Sequence, residues 1–461
     1  MNRLSMDPSE KSTPDQPPAV ATNSTGLQDA IYLRNPFTNT RAPGTERYLV
    51  FLITGNPGLV EYYRSFLNIL YGGLSKKYGP GADVRNVVFE VYGRSMAGFE
   101  VGAADDEYVD NKSKVPKWAR RKKYYSLDEQ IDIVEKRLVE CVEQLTRGAG
   151  RAPKIILVGH SVGAYILLEL VRRHRERLER KKRGKGVKWE DQQTTSDDSS
   201  SSRDIPLRRA ASKASKATRG GGGRPEPDIV AGICLFPTVV NIHESRSGRL
   251  FSSLARVPFF PTLTSSLVHT LRLTLPRPVF VKLTHLISRM QAHNLSVTVA
   301  WLRSPRGVHQ TLAMAADEMR TIGRDRWDAE VWGAVHPSPS NVARPKLYFY
   351  FGERDHWVAD ETRDDLMRLR GRGEEGDEWR PWMEIDRLEV PHGFSIKHSA
   401  VVADKVLEYV DSIVRLTSPA RKSMSSDEFS LARNRLSVAT SGSQRNSLVS
   451  MDRATLASPV E

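Results

Sequence analysis

Two cysteines, Cys141 and Cys234, are all that the 461 residues contain. That scarcity excludes a disulfide framework and a cysteine-rich zinc site. It suits a reducing, cytosol-facing compartment. Long apolar runs are missing as well. No uncharged stretch rich in apolar residues exceeds 15, the length of Val257–Leu271, and that one contains prolines. A membrane-spanning helix needs roughly 20 residues, so no membrane bundle is expected. The opening MNRLSMDPSEKSTPDQPP has no apolar core followed by a cleavage site, and it does not read as a secretory signal. No internal repeat and no nucleic-acid module signature occur, so nucleic acid is not an expected partner. No motif calls for a metal or a cofactor.

Charge is plentiful and uneven. There are 69 Lys and Arg against 55 Asp and Glu, a formal +14. Nine of those fourteen charges fall in residues 172–227, which also hold the runs Ser199–Ser202 and Gly220–Gly223. Such a composition cannot bury enough apolar surface to offset the entropy of ordering. It predicts a basic helix extension that passes into a low-complexity, disordered insertion. A solvated loop is the simplest use for it, and contact with an anionic membrane is the next. Residues 1–30 and 417–461 are expected to be disordered too, the first rich in Pro, Ser and Thr, the second in Ser and Arg. Ser437 and Ser447 each stand two residues after an arginine. They are candidate phosphorylation sites, where added negative charge would weaken contact with an anionic surface.

Between these segments strand and helix patterns alternate. Tyr48–Ile53 is an unbroken apolar run that ends in Gly55-Asn56-Pro57-Gly58 and precedes a helix over Tyr62–Leu74. Asn86–Val91 reads as a second strand. Ser126 and Glu129 form a capping box that opens a helix with apolar residues at helical spacing from Leu127 to Leu145. Ile155–Val158 is another strand, running into Gly159-His160-Ser161-Val162-Gly163 and the apolar helix Ala164–Val171. Further strands are expected at Ile229–Phe236, Leu347–Phe351 and near Leu388–Val390, with a last helix over Val401–Leu416. Strands apolar on both faces, alternating with helices, imply a mostly parallel sheet covered on both sides.

The residues 159–163 match the nucleophile-elbow pattern G-x-S-x-G. A nucleophilic serine must sit on a tight strand-to-helix turn, with small residues two positions to each side, so that strand and helix pack without clashing. An acid and a histidine must follow in that order. Asp355 lies just past the strand Leu347–Phe351, with Asp360 and Glu353 as rivals. His392, in Pro391-His392-Gly393-Phe394, precedes the last helix. His398 is its rival but is expected about two turns into the helical region, and a loop apex reaches a serine better. His160 is expected to line the elbow. The backbone N–H of Val162 is one expected oxyanion donor. The other is Asn56, because Pro57 has no N–H. These roles describe acyl transfer: Ser161 attacks a carbonyl, His392 takes its proton, and Asp355 stabilises the imidazolium.

These motifs together resemble the lipid-droplet-associated hydrolase family of α/β-hydrolases, with a fungal member expected. The matching residues are Gly55–Gly58, the Ser126–Arg137 helix with Gln130, Gly159–Tyr165, Phe236-Pro237-Thr238 with Ser245 and Gly248, Phe351–Val358 and Pro391–Phe394. They extend over about Tyr48 to Leu416. The resemblance implies an α/β-hydrolase fold at 31–416, a triad of Ser161, Asp355 and His392, and a lid or cap, 239–345, after strand six. It also implies action on lipid esters, sterol esters being one candidate, at a lipid droplet or endoplasmic-reticulum surface. Within the cap, Val257–Leu263 and Leu271–Leu283 are apolar and interspersed with arginine and lysine. Phe259, Phe260 and Leu263 are the expected lipid contacts. The rival functions are a non-catalytic droplet scaffold and a soluble hydrolase of small esters.

Overall fold

The computed structural model describes residues 26–35, 40, 44–79, 87–101, 124–190, 227–333, 344–372 and 380–418. Expectations for 1–25, 191–226 and 419–461, including the tail serines, lie outside them. The chain divides into two units, Met1–Val410 and Asp411–Glu461; in the second, the described residues are the end of the last helix and Ser418.

Seven strands are present among the described residues: β1 (Ala30–Leu33), β2 (Glu46–Ile53), β3 (Val87–Arg94), β4 (Lys154–His160), β5 (Asp228–Leu235), β6 (Lys346–Phe351) and β7 (Trp382–Ile385). They form one sheet in the order β1-β3-β2-β4-β5-β6-β7, parallel except for β1. Residues 48–53 and 155–158 are at most 3% exposed, so β2 and β4 are covered on both faces. This burial is why those runs show no polar alternation.

The covering helices follow from the crossovers. From β2 the chain passes through α1 (Arg64–Tyr78) to β3 on one side. From β3 it passes through α2 (Leu127–Ala149) to β4, and from β4 through α3 (Val162–Glu190) to β5, both toward the other side. Right-handed crossovers running in opposite directions put α1 on one face and α2 and α3 on the other. A Cβ on Gly73 of α1 would come within 2.4 Å of Leu407 in the final helix, which shares that face. Arg173 of α3 meets Asp132 and Glu135 of α2 at 2.7 and 2.8 Å. The capping box of α2 is reciprocal: the Glu129 N–H donates to Ser126 Oγ at 3.2 Å, and the Ser126 N–H to Glu129 Oε2 at 3.0 Å.

Among the described residues between β5 and β6 lie five α-helices, α4 (Arg246–Ala255), α5 (Phe260–Thr274), α6 (Arg277–Ser288), α7 (Ala292–Arg303) and α8 (Gly307–Thr321). These helices fall within the stretch expected to form a cap, and among the described strands they follow the fifth rather than the sixth. After β6 come α9 (Asp360–Arg370), β7 and α10 (Ser399–Thr417). The basic run begins inside α3, which continues to Glu190, and its first three arginines are paired: Arg172 with Glu169, Arg173 as above, and Arg175 with Asp328.

Two further expectations need correction. The strand near Leu388–Val390 is absent, and Trp382–Ile385 pairs with β6 instead. The carboxylate of Asp386 explains the difference. It accepts the Tyr350 hydroxyl at 2.5 Å and the Val390 N–H at 2.6 Å, which folds 386–390 into a turn with Glu389 at φ 52°. The N-terminal boundary at residue 30 is also too late, because Ala30 already pairs with Arg94. Both cysteines are buried free thiols, and burial pushes Cys141 up to about 12, so it is not a thiolate at neutral pH.

One buried ion pair anchors the β1 side of the sheet. Arg47 donates to Glu90 at 2.6 Å and to the carbonyls of Leu145 and Arg151, and Tyr32 donates to the other oxygen of Glu90. Removing one partner of such a pair leaves an uncompensated buried charge. Arg47→Met is therefore expected to cost about 3–5 kcal/mol in denaturant unfolding. A loss below 1 kcal/mol would show that Glu90 is neutralised by something else.

Candidate active site

The site grows from the register of β2 and β4. Ile53 stands opposite Gly159, so the loop after β2 and the turn after β4 leave the sheet side by side. Strand order reverses at this point, since β2 leads outward to β3 and β4 leads to β5. Crevices at such switch points are where parallel sheets bind ligands. A Cβ on Gly159 would lie 2.4 Å from the Gly163 carbonyl oxygen, and one on Gly163 would lie 2.3 Å from that of Ile53. Only glycine fits either position. Between them Ser161 has φ 55°, the left-handed region that a side chain rarely adopts. Its N–H donates to the Leu235 carbonyl at 3.0 Å.

The histidine and the acid arrive from the ends of β7 and β6. His392 Nε2 is 2.9 Å from Ser161 Oγ, and its Nδ1 is 2.7 Å from Asp355 Oδ2. The other carboxylate oxygen of Asp355 accepts the Trp357 N–H at 2.8 Å. All three residues are 8–9% exposed. Burial pushes the Asp355 carboxyl up, but the His392 charge, its hydrogen bond and the Trp357 N–H outweigh it and hold Asp355 below its ordinary value. It is thus anionic at neutral pH, as a histidine-orienting acid must be. The rivals stand apart. Glu353 and Asp360 are exposed, and Asp360 opens α9. His398 is half-buried and sits one residue before α10, not within it.

The segments that carry the two expected oxyanion donors lie beside the elbow. Val162 is the first residue of α3, where backbone N–H groups have no intrahelical acceptor and the helix dipole is positive. The loop after β2 runs against the elbow: a Cβ on Gly55 would lie 3.1 Å from Ser161 Cβ. The carboxamide of Asn56 is engaged elsewhere, donating to the Thr311 carbonyl at 3.0 Å and to Glu318 at 2.9 Å on α8. Its main-chain N–H is the group that remains for an oxyanion.

Known proteins can now be compared. A model of the family described as lipid-droplet associated hydrolase matches residues 46–395, which include the elbow, Asp355 and His392. The chain belongs to the lipid-droplet associated hydrolase family. The lipid droplet-associated hydrolase of Rattus norvegicus is 21% identical over 394 residues, 84% of this chain and 93% of the relative. That of Drosophila melanogaster is 24% identical over 362 residues, 78% and 87%. Among solved structures, a peroxisomal α/β-hydrolase of Saccharomyces cerevisiae aligns over 93% of this chain and 94% of its own, at 12% identity and a TM-score of 0.47.

Family membership supports a hydrolase, and two residues of this site carried no sequence signal. Tyr63 looks like any aromatic at the start of a helix. Glu318 looks like one more acid on a solvated face, yet it is 5% exposed and holds the loop that carries Asn56. Burial pushes its carboxyl up to about 8, with the Asn56 bond opposing and Asp317 adding. A raised carboxyl favours the fold most at pH values below its unfolded value and loses that advantage as pH rises through the folded value. The window here runs from about 4.5 to about 8. Glu318→Gln keeps the acceptor for Asn56 without the charge. Its thermal stability is expected to match wild type near pH 4.5 and to exceed it by a few kcal/mol at pH 8.5, at roughly 1.4 kcal/mol per pKa unit. A difference that stays constant across that range would refute a titrating Glu318.

Proposed function

We propose that this hydrolase cleaves lipid esters, sterol esters among the candidates, through an acyl-enzyme on Ser161 at a lipid-droplet surface. The observation that carries the chemistry is the pair of hydrogen bonds from His392, 2.9 Å to Ser161 and 2.7 Å to Asp355. In the reaction, Ser161 Oγ attacks the ester carbonyl and His392 Nε2 takes its proton. The oxyanion is received by the N–H groups of Val162 and Asn56. His392 then returns the proton to the departing alcohol. Water, deprotonated by His392, releases the acid and restores Ser161. Asp355 stays ionised throughout and stabilises the imidazolium.

The lipid surface rests on the cap. Twelve of the seventeen exposed large hydrophobic residues among the described ones lie between positions 250 and 287. Helix α5 has no buried residue, although Leu263, Leu267, Leu271 and Leu273 are all on it. A soluble domain rarely leaves so contiguous an apolar patch without a partner. Arg249, Arg256, Arg272, Arg277 and Lys282 are interspersed, which suits a monolayer with anionic headgroups. Of the three expected contacts, Phe259 and Leu263 are 77% and 61% exposed, while Phe260 turns inward against Phe251. No helix among the described residues is long and apolar enough to cross a membrane, so the proposed attachment is interfacial. The cytosolic face of the endoplasmic reticulum is a surface of the same kind. The relatives' names, lipid droplet-associated hydrolase, support this reading.

A fluorophosphonate probe tests the chemistry. Wild type is expected to label and Ser161→Ala is not, with ester turnover in the variant lower by on the order of 10⁶-fold. Folded wild type that resists the probe would overturn the serine mechanism. Flotation with phospholipid-coated triglyceride droplets tests the surface. The triple variant Phe259→Ser, Leu263→Ser, Leu267→Ser is expected to lose bound protein by more than about 100-fold in partition, since each buried side chain is worth roughly 1.5–3 kcal/mol. Unchanged flotation would move the contact away from α5.

A further inference from the structure

The triad leaves His160 unused, although it precedes Ser161 and is 6% exposed. Both of its ring nitrogens are bonded. Nδ1 is 2.6 Å from the Tyr63 hydroxyl, and Nε2 is 2.8 Å from the main-chain oxygen of His392. The Tyr63 hydroxyl also receives the Gly55 N–H at 3.0 Å.

The protons in this chain have one satisfied arrangement. A carbonyl oxygen only accepts, so Nε2 carries the imidazole proton and donates to His392. Nδ1 is then the acceptor, and the Tyr63 O–H donates to it. The hydroxyl oxygen is left free to accept from Gly55. The ring is neutral throughout the working range, because burial and then repulsion by His392 push its pKa down to about 3. Aromatic walls fix its plane. Phe394 meets it edge-on at 5.0 Å and Phe236 at 6.2 Å. The approach of Gly55 is close as well: a Cβ there would fall 2.9 Å from Nδ1.

One end of this chain thus grips the backbone of the base, and the other grips the residue before Asn56. We infer that His160 and Tyr63 are positioning residues that hold the base and the oxyanion loop in register with Ser161. This inference rests on the acyl-transfer reading above. Neither residue touches the reacting atoms in that scheme. Their role is to link His392 and Asn56, which come from opposite ends of the chain, through the residue beside the nucleophile. A displacement of about 1 Å in such groups lowers rate by on the order of 100-fold.

Two substitutions break the two ends separately. Tyr63→Phe keeps the ring and removes the link to Gly55. His160→Asn keeps an acceptor near the Nδ1 position for Tyr63 and removes the donor to His392. Each is read by p-nitrophenyl ester kinetics and by the rate of fluorophosphonate labelling, with circular dichroism confirming the fold. Each is expected to lower kcat and labelling rate by about 10- to 100-fold, with KM within about threefold of wild type, since the groups displaced act on the transition state. The double variant is expected to cost less than the product of the singles, because both act on one chain. If either single variant fails to fold, the other carries the test. A folded variant that labels at the wild-type rate, or that raises KM with kcat unchanged, overturns the inference while leaving the hydrolase reading intact. Wild type that does not label removes the reaction itself, and this inference with it.

Discussion

The left-handed backbone of Ser161 is the constraint to which the rest of the site is fitted. At φ 55° the residue is strained, and strain of this kind costs on the order of 1–3 kcal/mol. It persists because strand and helix close on each other around it. Gly159 and Gly163 touch backbone at distances no Cβ would allow, and Gly163 also meets the end of β2. The same closeness aligns three things at once. The hydroxyl stands clear of the sheet, the first N–H groups of α3 face outward beside it, and the loop after β2 comes within contact of the elbow. Enlarging either glycine would separate the nucleophile from both oxyanion donors together.

A serine held so firmly needs partners held equally firmly, and these lie on loops. Loops are the mobile parts of most folds. Here the cap reaches each of them. On α4, the Ser247 N–H donates to the His356 carbonyl beside Asp355 at 2.9 Å. On α7, Asn294 donates to the Ile396 carbonyl at 2.9 Å, just past His392. On α8, Thr311 and Glu318 hold Asn56. The three segments that carry Asp355, His392 and Asn56 are therefore each bonded to a different helix between β5 and β6. A shift of the cap would be felt at all three.

Much of this frame is legible in sequence because it is locally encoded. Parallel strands buried on both faces leave unbroken apolar runs, so 48–53, 155–158 and 347–351 stand out. The Ser126 and Glu129 capping box marks the start of α2 three residues apart. Asp355 is legible as an acid just past a strand end, but Glu353 and Asp360 share that neighbourhood, and it is burial in the fold that separates them. The weaker elements are those whose pairing, not composition, defines them. Ala30–Leu33 is four residues long, and Trp382–Ile385 contains Glu384 with Trp382 36% exposed, so Leu388–Val390 looks the better strand. Tyr63 and Glu318 were invisible for a related reason. Their partners lie 97 and 262 residues away, and nothing in either neighbourhood differs from ordinary helix.

The closed triad and the bare apolar cap look contradictory until they are taken together. Residues that are 8–9% exposed exclude water, which strengthens every charge interaction among Ser161, His392 and Asp355. The same closure bars a long acyl ester arriving from water. An apolar surface on α4 to α6 is costly in water but stabilised against hydrocarbon, by roughly 25 cal/mol for each Å² covered. On the proposed reading, that difference is available only at a lipid surface, where the substrate also is. Because α4, α7 and α8 are bonded to the segments that carry Asp355, His392 and Asn56, a lipid surface that seats α5 would, on the proposed reading, bear on the site as well.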